Sequence, residues 1–245
     1  MKTINLSKSL LILLVAIVSM TGCKKDYEAS KTTFLPEMSL IGDDVVFLHV
    51  GDTYVDAGVE ATANGQALPV TTTVTGSYSG GTTVDSNSPD IYQVTYSATN
   101  EDGFSASVSR TVIVAKTGDL VNSIEGLYTA TVGRGAPPTA QYTDMKYVII
   151  WNISGNTYGI SDALGGYYDL GRAYGPDFAA QGAVITANDI PTNSFAFTQA
   201  TIPGFGNTVD ISNFAVDAGN HQITFTGTGN FASGVFNVVL NQVNF

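Results

Sequence analysis

Pro89-Asp90-Ile91-Tyr92-Gln93-Val94-Thr95-Tyr96-Ser97-Ala98-Thr99-Asn100-Glu101-Asp102-Gly103-Phe104 decides the fold class of this chain. Tyr92, Val94, Tyr96 and Ala98 alternate with Gln93, Thr95, Ser97 and Thr99. One side of an extended strand is therefore apolar and the other polar, the period-two pattern of a half-buried strand. Asn100-Glu101-Asp102-Gly103 then supplies the residue types that accept the backbone angles of a tight turn. Phe104, Ala106, Val108, Val112 and Val114 resume the alternation in a partner strand. Arg110 falls on the same apolar parity and is expected at a bulge or an exposed strand end.

Upstream, residues 45–50, 53–56, 59–63 and 70–75 read as further short strands separated by turns, a sandwich pattern. Three pieces are specific: Gly51-Asp52-Thr53-Tyr54-Val55-Asp56-Ala57-Gly58, the 89–103 hairpin, and the closing Val112-Ile113-Val114. Together they resemble the bacterial immunoglobulin-like domain that recurs on surface proteins, over roughly residues 39–115. Asp90 stands where that pattern has glycine after proline, and the Tyr78-Ser79-Gly80-Gly81 region is longer than the minimal pattern. The resemblance implies a spacer or presentation module rather than a catalyst.

Lys116-Thr117-Gly118-Asp119 reads as a linker into a second β region. Residues 128–132, 147–153, 157–160, 167–170, 183–186, 194–198, 209–216, 222–226 and 235–240 are its predicted strands, which suggest a closed barrel or a sandwich. The chain is thus expected to be all-β: an immunoglobulin-like β-sandwich over 39–116, followed by a second antiparallel β-barrel or sandwich domain over 120–245.

The first residues have a different character. Lys2 and Lys8 precede an apolar run over 10–18, and Ser19-Met20-Thr21-Gly22 leads to Cys23, the only cysteine. The run is too short for a bilayer, which needs about 20 apolar residues, and reads as a removable segment over 1–22. It resembles a bacterial lipobox, with Met20 where leucine is usual, which implies acylation of Cys23 and a tether over 23–38. Lys24-Lys25-Asp26-Tyr27-Glu28 resembles the charged tag of surface-displayed lipoproteins of Gram-negative gut bacteria. The whole layout is similar to two-domain lipoproteins of those bacteria whose C-terminal domain has no assigned activity. The expected location is the outer membrane, held by the lipid anchor and displayed at the cell surface. No cysteine is left over for a disulfide. The formal charge of −11 becomes about −13 without the two lysines of the leader, which argues against nucleic acid as a partner.

Candidate chemistry lies in the C-terminal region. Sugar binding uses aromatic rings stacked on sugar faces beside groups that bond hydroxyls. Trp151, Tyr167, Tyr168, Arg172, Tyr174 and Asp177 are the candidate ligand contacts, because Tyr158, Tyr167, Tyr168, Tyr174 and Phe178 fall close together among loop-forming glycines. Trp151 shares parity with Tyr147 and Ile149, so a core role stands beside a ligand role. Asp43-Asp44, Asp56 and Glu101-Asp102 could meet as calcium ligands but lack any EF-hand spacing, and read as turn and strand-end aspartates. Asp162 with Asp169, or Asp177 with Asp189, could in principle flank a glycosidic bond. His49 and His221 lie near no serine elbow, and zinc, phosphate-loop and dinucleotide patterns are not read, so neither a metal nor a cofactor is expected. The expectation is a non-catalytic binding module for polysaccharide. The alternative is an adhesion or envelope-scaffolding protein that contacts another protein, including an outer-membrane partner.

Overall fold

A computed structural model describes residues 32–245, of which 35–245 form one compact unit. Its first layer pair is immunoglobulin-like. Strands β1 (Glu37–Leu40), β3 (Val59–Ala63) and β4 (Gln66–Ala67) make a three-stranded sheet; β2 (Val45–His49), β7 (Ser105–Ala115), β6 (Asp90–Thr99) and β5 (Val70–Gly76) make a four-stranded one in that order. The decisive hairpin forms as its alternation dictates. Tyr92, Val94, Tyr96 and Ala98 are buried. The turn closes through Asn100, whose N–H donates to the Phe104 carbonyl (2.9 Å) and whose Oδ1 accepts from the Phe104 N–H (2.8 Å). Tyr92, Val94, Tyr96, Val112 and Val114 form the core between the two sheets.

Two local expectations are corrected here. Residues 53–56 form no strand. The β6–β7 ladder also runs through Arg110 without a bulge, and Arg110 is 1% exposed rather than at an open end. Its Nη1 lies 2.6 Å from Asp56 Oδ1, its Nε donates to the Asp43 carbonyl (2.8 Å) and its Nη2 donates to the Ile41 carbonyl. Residues 53–56 leave the ladder pattern with Asp56 aimed at that guanidinium. The ion pair accounts for both misreadings, and it also engages one of the aspartates considered for calcium.

The second part is one nine-stranded antiparallel sheet. Its strands are β8 (Gly126–Arg134), β9 (Met145–Ser154), β10 (Thr157–Ile160), β11 (Val184–Asp189), β12 (Ser194–Phe197), β13 (Ala200–Ile202), β14 (Asn207–Asp217), β15 (Gln222–Gly229) and β16 (Val235–Val243), in the order β12-β11-β10-β9-β8-β16-β15-β14-β13. Register shifts in β8, β11 and β14 bend the sheet, since a bulge adds local twist. It curls into a half-barrel. Phe195 and Phe197 of β12 meet Phe214 of β14 at ring distances of 4.7 and 5.5 Å, and a bridge between Gln181 and Thr201 spans toward β13. Predicted and observed strands agree closely, with two differences: residues 167–170 are not a strand but part of a π-helical turn, Tyr167–Gly171, and the short edge strand β13 lies outside the predicted set.

Strand β7 is apolar on both faces over Val112–Ala115, and both faces are covered. Val112 and Val114 enter the immunoglobulin-like core, while Ile113 and Ala115 pack on Leu127 and Ile149 of β8 and β9, with Tyr147, Trp151 and Phe245 alongside. Phe47 lies 5.9 Å from Tyr147 and 5.5 Å from Phe245, ring to ring. The stretch read as a linker is tied down: Lys116 pairs with Glu125 at 3.1 Å, and Asp119 Oδ1 accepts the N–H groups of Val121, Asn122 and Ser123.

Candidate functional site

Strands β10 and β11 pair directly, yet residues 161–183 lie between them. A connection beyond about 12–15 residues in a compact protein is uncommon and calls for a role. This one turns into the hollow of the curled sheet. Ala163 and Leu164 join the core, and Gly227 admits them: a Cβ there would run into the Ala163 carbonyl oxygen. Gly165 and Gly166 follow at φ +63° and +79°, angles that favour glycine, and set up the π-helical turn. The Gly171 N–H donates to the Gly166 carbonyl (2.8 Å) and the Arg172 N–H to the Tyr167 carbonyl (3.2 Å), the wide-turn pattern that often marks functional sites.

The turn delivers Tyr167 and Tyr168 into a ring cluster at the sheet's rim. Tyr167 stacks on Tyr142 at 4.2 Å and meets Phe236 at 4.9 Å. Tyr168 meets Phe205 edge-on at 5.1 Å and lies 6.4 Å from Tyr174, nearly parallel to it. Phe178 closes the set, 4.8 Å from Phe205 and 5.3 Å from Tyr174. Tyr167 and Tyr168 are only 6% and 7% exposed, whereas Tyr174 and Phe205 are 47% and 44% exposed. The result is a layered platform: inner tyrosines hold outer rings in place. Each such ring pair contributes about 0.5–1.5 kcal/mol beyond buried area, so the exposed rings are ordered before any ligand arrives.

Two arginines lie on the same rings. The Arg134 guanidinium carbon sits 4.9 Å from the Phe236 centroid, 5.6 Å from Tyr167 and 5.7 Å from Tyr168; that of Arg172 sits 5.7 and 5.8 Å from Tyr167 and Tyr168. Arg134 is positioned by its Nε, which donates to the Ser233 carbonyl at 2.8 Å. Burial alone would push the Tyr167 phenol up, but hydrogen bonding to Tyr142, Arg172 and Arg134 outweighs it and holds the phenol below its usual range. Tyr142 moves up, chiefly through its hydrogen bond with Tyr167. The rim is thus an aromatic surface with a local positive potential on an acidic protein.

On its other side the π-helical turn meets the immunoglobulin-like part. Asp90, fully buried, accepts the Tyr78 N–H at 3.0 Å through Oδ1, and the Ser79 N–H (3.0 Å) and Ser79 hydroxyl (2.5 Å) through Oδ2. The loop so held extends the Tyr78 hydroxyl to Asp169 Oδ2 at 3.0 Å. The two departures from the surface-domain pattern, Asp90 and the longer 78–81 region, are therefore one feature. Asp169 is 7% exposed and lies beneath Tyr78; Asp162 is 1% exposed, with Oδ1 accepting the Leu164 (2.6 Å) and Ala180 (3.1 Å) N–H groups. Burial first, and then Asp169, raise the Asp162 carboxyl to about 7. This pair of carboxyls, considered for glycoside hydrolysis, faces the interior.

The structure therefore gathers Tyr167, Tyr168, Arg172 and Tyr174 at one site. Asp177 lies nearby on the 3-10 turn Pro176–Phe178, exposed, with its backbone carbonyl accepting the Gly204 N–H at 2.7 Å. Trp151 is elsewhere, in the apolar contact with β7, where its ring fills the space a Cβ on Gly159 would occupy. Cys23 lies outside the described residues. Arg134, Tyr142, Phe205 and Phe236 belong to the site and escaped sequence reasoning, as did Phe231, whose ring lies 6.5 Å from Tyr168 and 5.8 Å from the Arg134 guanidinium carbon. Phe205 alone carried a local sign, an aromatic residue set between glycines in Pro203-Gly204-Phe205-Gly206. Among the described residues no group of three or more histidine, cysteine or acidic side chains could hold a metal ion.

Comparison with known proteins is consistent with this layout. A family model described as "-like, C-terminal domain" matches residues 117–242, and one described as "Bacterial surface protein, Ig-like domain" matches residues 38–114. No curated protein matches. Among solved structures, the lipoprotein BT2262 from Bacteroides thetaiotaomicron is similar, with 28% identity, a TM-score of 0.61, and coverage of 85% of this chain and 100% of that one.

Proposed function

The chain belongs to the family that this C-terminal domain defines, here carried behind a bacterial surface immunoglobulin-like domain, and from that we propose a cell-surface lipoprotein whose C-terminal part captures glycans without altering them. Support comes above all from the rim of rings, where Tyr174 and Phe205 stand exposed on buried Tyr167 and Tyr168. Sugar faces stack on ordered rings, and a pre-built platform avoids the ordering penalty that weakens binding by flexible loops. A non-catalytic role fits the inward placement of Asp162 and Asp169. The lipobox reading of Cys23 and the lipoprotein relative support anchoring by covalent lipid, with the outer membrane as the site of attachment.

The soluble chain from residue 24 onward contains the whole compact unit and is the reagent for the test. On a panel of polysaccharides, selective binding is expected. Tyr174→Ala and Phe205→Ala should each weaken it about three- to tenfold, the equivalent of about 0.5–1.5 kcal/mol per ring, with the fold intact because both rings are outermost. Silence across the panel from folded protein would reject glycan capture and favour a protein partner. For the anchor, Cys23→Ala in the full chain should move the protein from the membrane to the soluble fraction while its thermal unfolding stays unchanged; retention in the membrane would overturn the lipid assignment.

A further inference from the structure

We propose that the ring platform selects acidic polysaccharides, chains bearing carboxylate or sulfate groups; this rests on the glycan reading above and narrows it. The first ground is where the cations are. Residues 32–245 hold five, Arg110, Lys116, Arg134, Lys146 and Arg172, against nineteen acidic residues. Arg110 and Lys116 are joined to Asp56 and Glu125. Of the other three, two lie over the same pair of tyrosine rings, and neither makes an ion pair among the described residues. An acidic surface repels a polyanion at long range, so such a ligand can be held only where positive charge is concentrated and shaped.

The second ground is geometry. A guanidinium carries five N–H donors and a fixed charge that suit a carboxylate or sulfate. Arg134 donates through Nε and Nη2 to the Ser233 and Ala232 carbonyls and Arg172 bonds the tyrosine hydroxyls around it, so each is held in place with its charge at the rim. Arg134 is fixed by the Ser233 carbonyl and the Phe236 ring, and Arg172 is held against Tyr167 and Tyr168. Arg172 is exposed and Arg134 half-buried, so the charges reach solvent beside the open rings of Tyr174 and Phe205. An acidic sugar offers both surfaces this rim requires: an apolar face for the rings and an anion for the guanidinium groups. A neutral sugar would offer these two cations no opposite charge.

The test is affinity electrophoresis and calorimetry of the chain from residue 24 onward with polygalacturonate, chondroitin sulfate and neutral dextran. The acidic polymers should bind, and their affinity should fall as salt rises from 50 to 500 mM, while dextran binds at least tenfold more weakly. Arg172→Gln should weaken acidic binding about tenfold, and Arg172→Lys should recover part of the loss. Binding of polygalacturonate alone, or of chondroitin sulfate alone, would identify the anion as carboxylate or sulfate and support the proposal in either case. Equal binding of dextran and the acidic polymers, unaffected by Arg172→Gln, would overturn the acidic preference and leave glycan capture standing. No binding of any polymer by folded protein would overturn both.

Discussion

Arg110→Ala should destabilise the chain by about 3–5 kcal/mol, the range measured when one partner of a buried ion pair is removed. The guanidinium is 1% exposed and ties two chain segments to β7: the β1–β2 connection, through the Asp43 carbonyl at 2.8 Å and the Ile41 carbonyl, and Asp56, whose carboxylate lies 2.6 Å away. Tyr96 donates its hydroxyl to the same carboxylate oxygen and lies under the guanidinium at 5.9 Å. Alanine would leave the two carbonyls without this donor and Asp56 without its cation, and would open a void next to Tyr96. Asp56 is about one third exposed and can be partly hydrated, which places the expected loss toward the lower end. Arg110→Lys keeps the charge but lacks the planar fork that reaches both carbonyls and the Asp56 carboxylate at once, so it should recover less than half of the loss. Chemical denaturation of the chain from residue 24 onward measures both; a loss under about 1 kcal/mol for Arg110→Ala would show that the pair does not hold the two sheets.

Arg110 also marks where local pattern stops being informative. The β6 and β7 alternation was legible because one face is buried along its length, and a single polar residue on that face looked like an exception to be exposed. Its partner is 54 residues away, and no local pattern carries that distance. The misreading of 167–170 has another cause. Tyr-Tyr-Asp-Leu has the composition of a strand, but Gly165 and Gly166 at positive φ aim the chain back into the hollow before those residues begin. At the site, the rings contributed by the 161–183 connection were legible because they are neighbours in sequence. Arg134, Phe205 and Phe236 come from β8, from the β13–β14 turn and from β16, and only the curl of the sheet assembles them. The parity of Trp151 with Tyr147 and Ile149 did state its position correctly, on the face of β9 opposite Val148 and Ile150.

Asp162→Asn should flatten the dependence of stability on pH between 5 and 8, leaving the variant less stable than the wild type at pH 5 and equal to it or better by up to about 2 kcal/mol at pH 8. Asp162 Oδ2 is buried without a hydrogen-bond partner, and the carboxyl is raised from 3.8 to about 7, by burial first and then by the charge of Asp169. Asp169 is itself raised by burial, partly offset by the Tyr78 hydrogen bond, so the nearest titrating groups oppose rather than neutralise an anion here. A carboxyl whose folded value lies above its unfolded one binds its proton more tightly in the folded state. Its contribution is therefore complete below about pH 4 and is lost as pH rises through about 7, at about 1.4 kcal/mol per unit across that window. Between pH 5 and 8 the wild-type chain should lose about 3 kcal/mol from this group alone. Asparagine carries no charge, and its carbonyl can keep the Leu164 and Ala180 N–H bonds that Oδ1 now accepts. The amide then sits where Oδ2 was, unpartnered, at a cost of about 1–3 kcal/mol that is the same at every pH. That cost lowers the variant at pH 5, where the wild-type carboxyl is protonated, and reduces its advantage at pH 8 from about 3 to about 0–2 kcal/mol. The slope is the firmer observable: urea denaturation at both pH values should show the pH dependence over 5–8 largely removed in the variant. A variant that retains the wild-type slope would show that Asp162 is not the group that titrates, and would return the pH dependence to Asp169 beneath Tyr78.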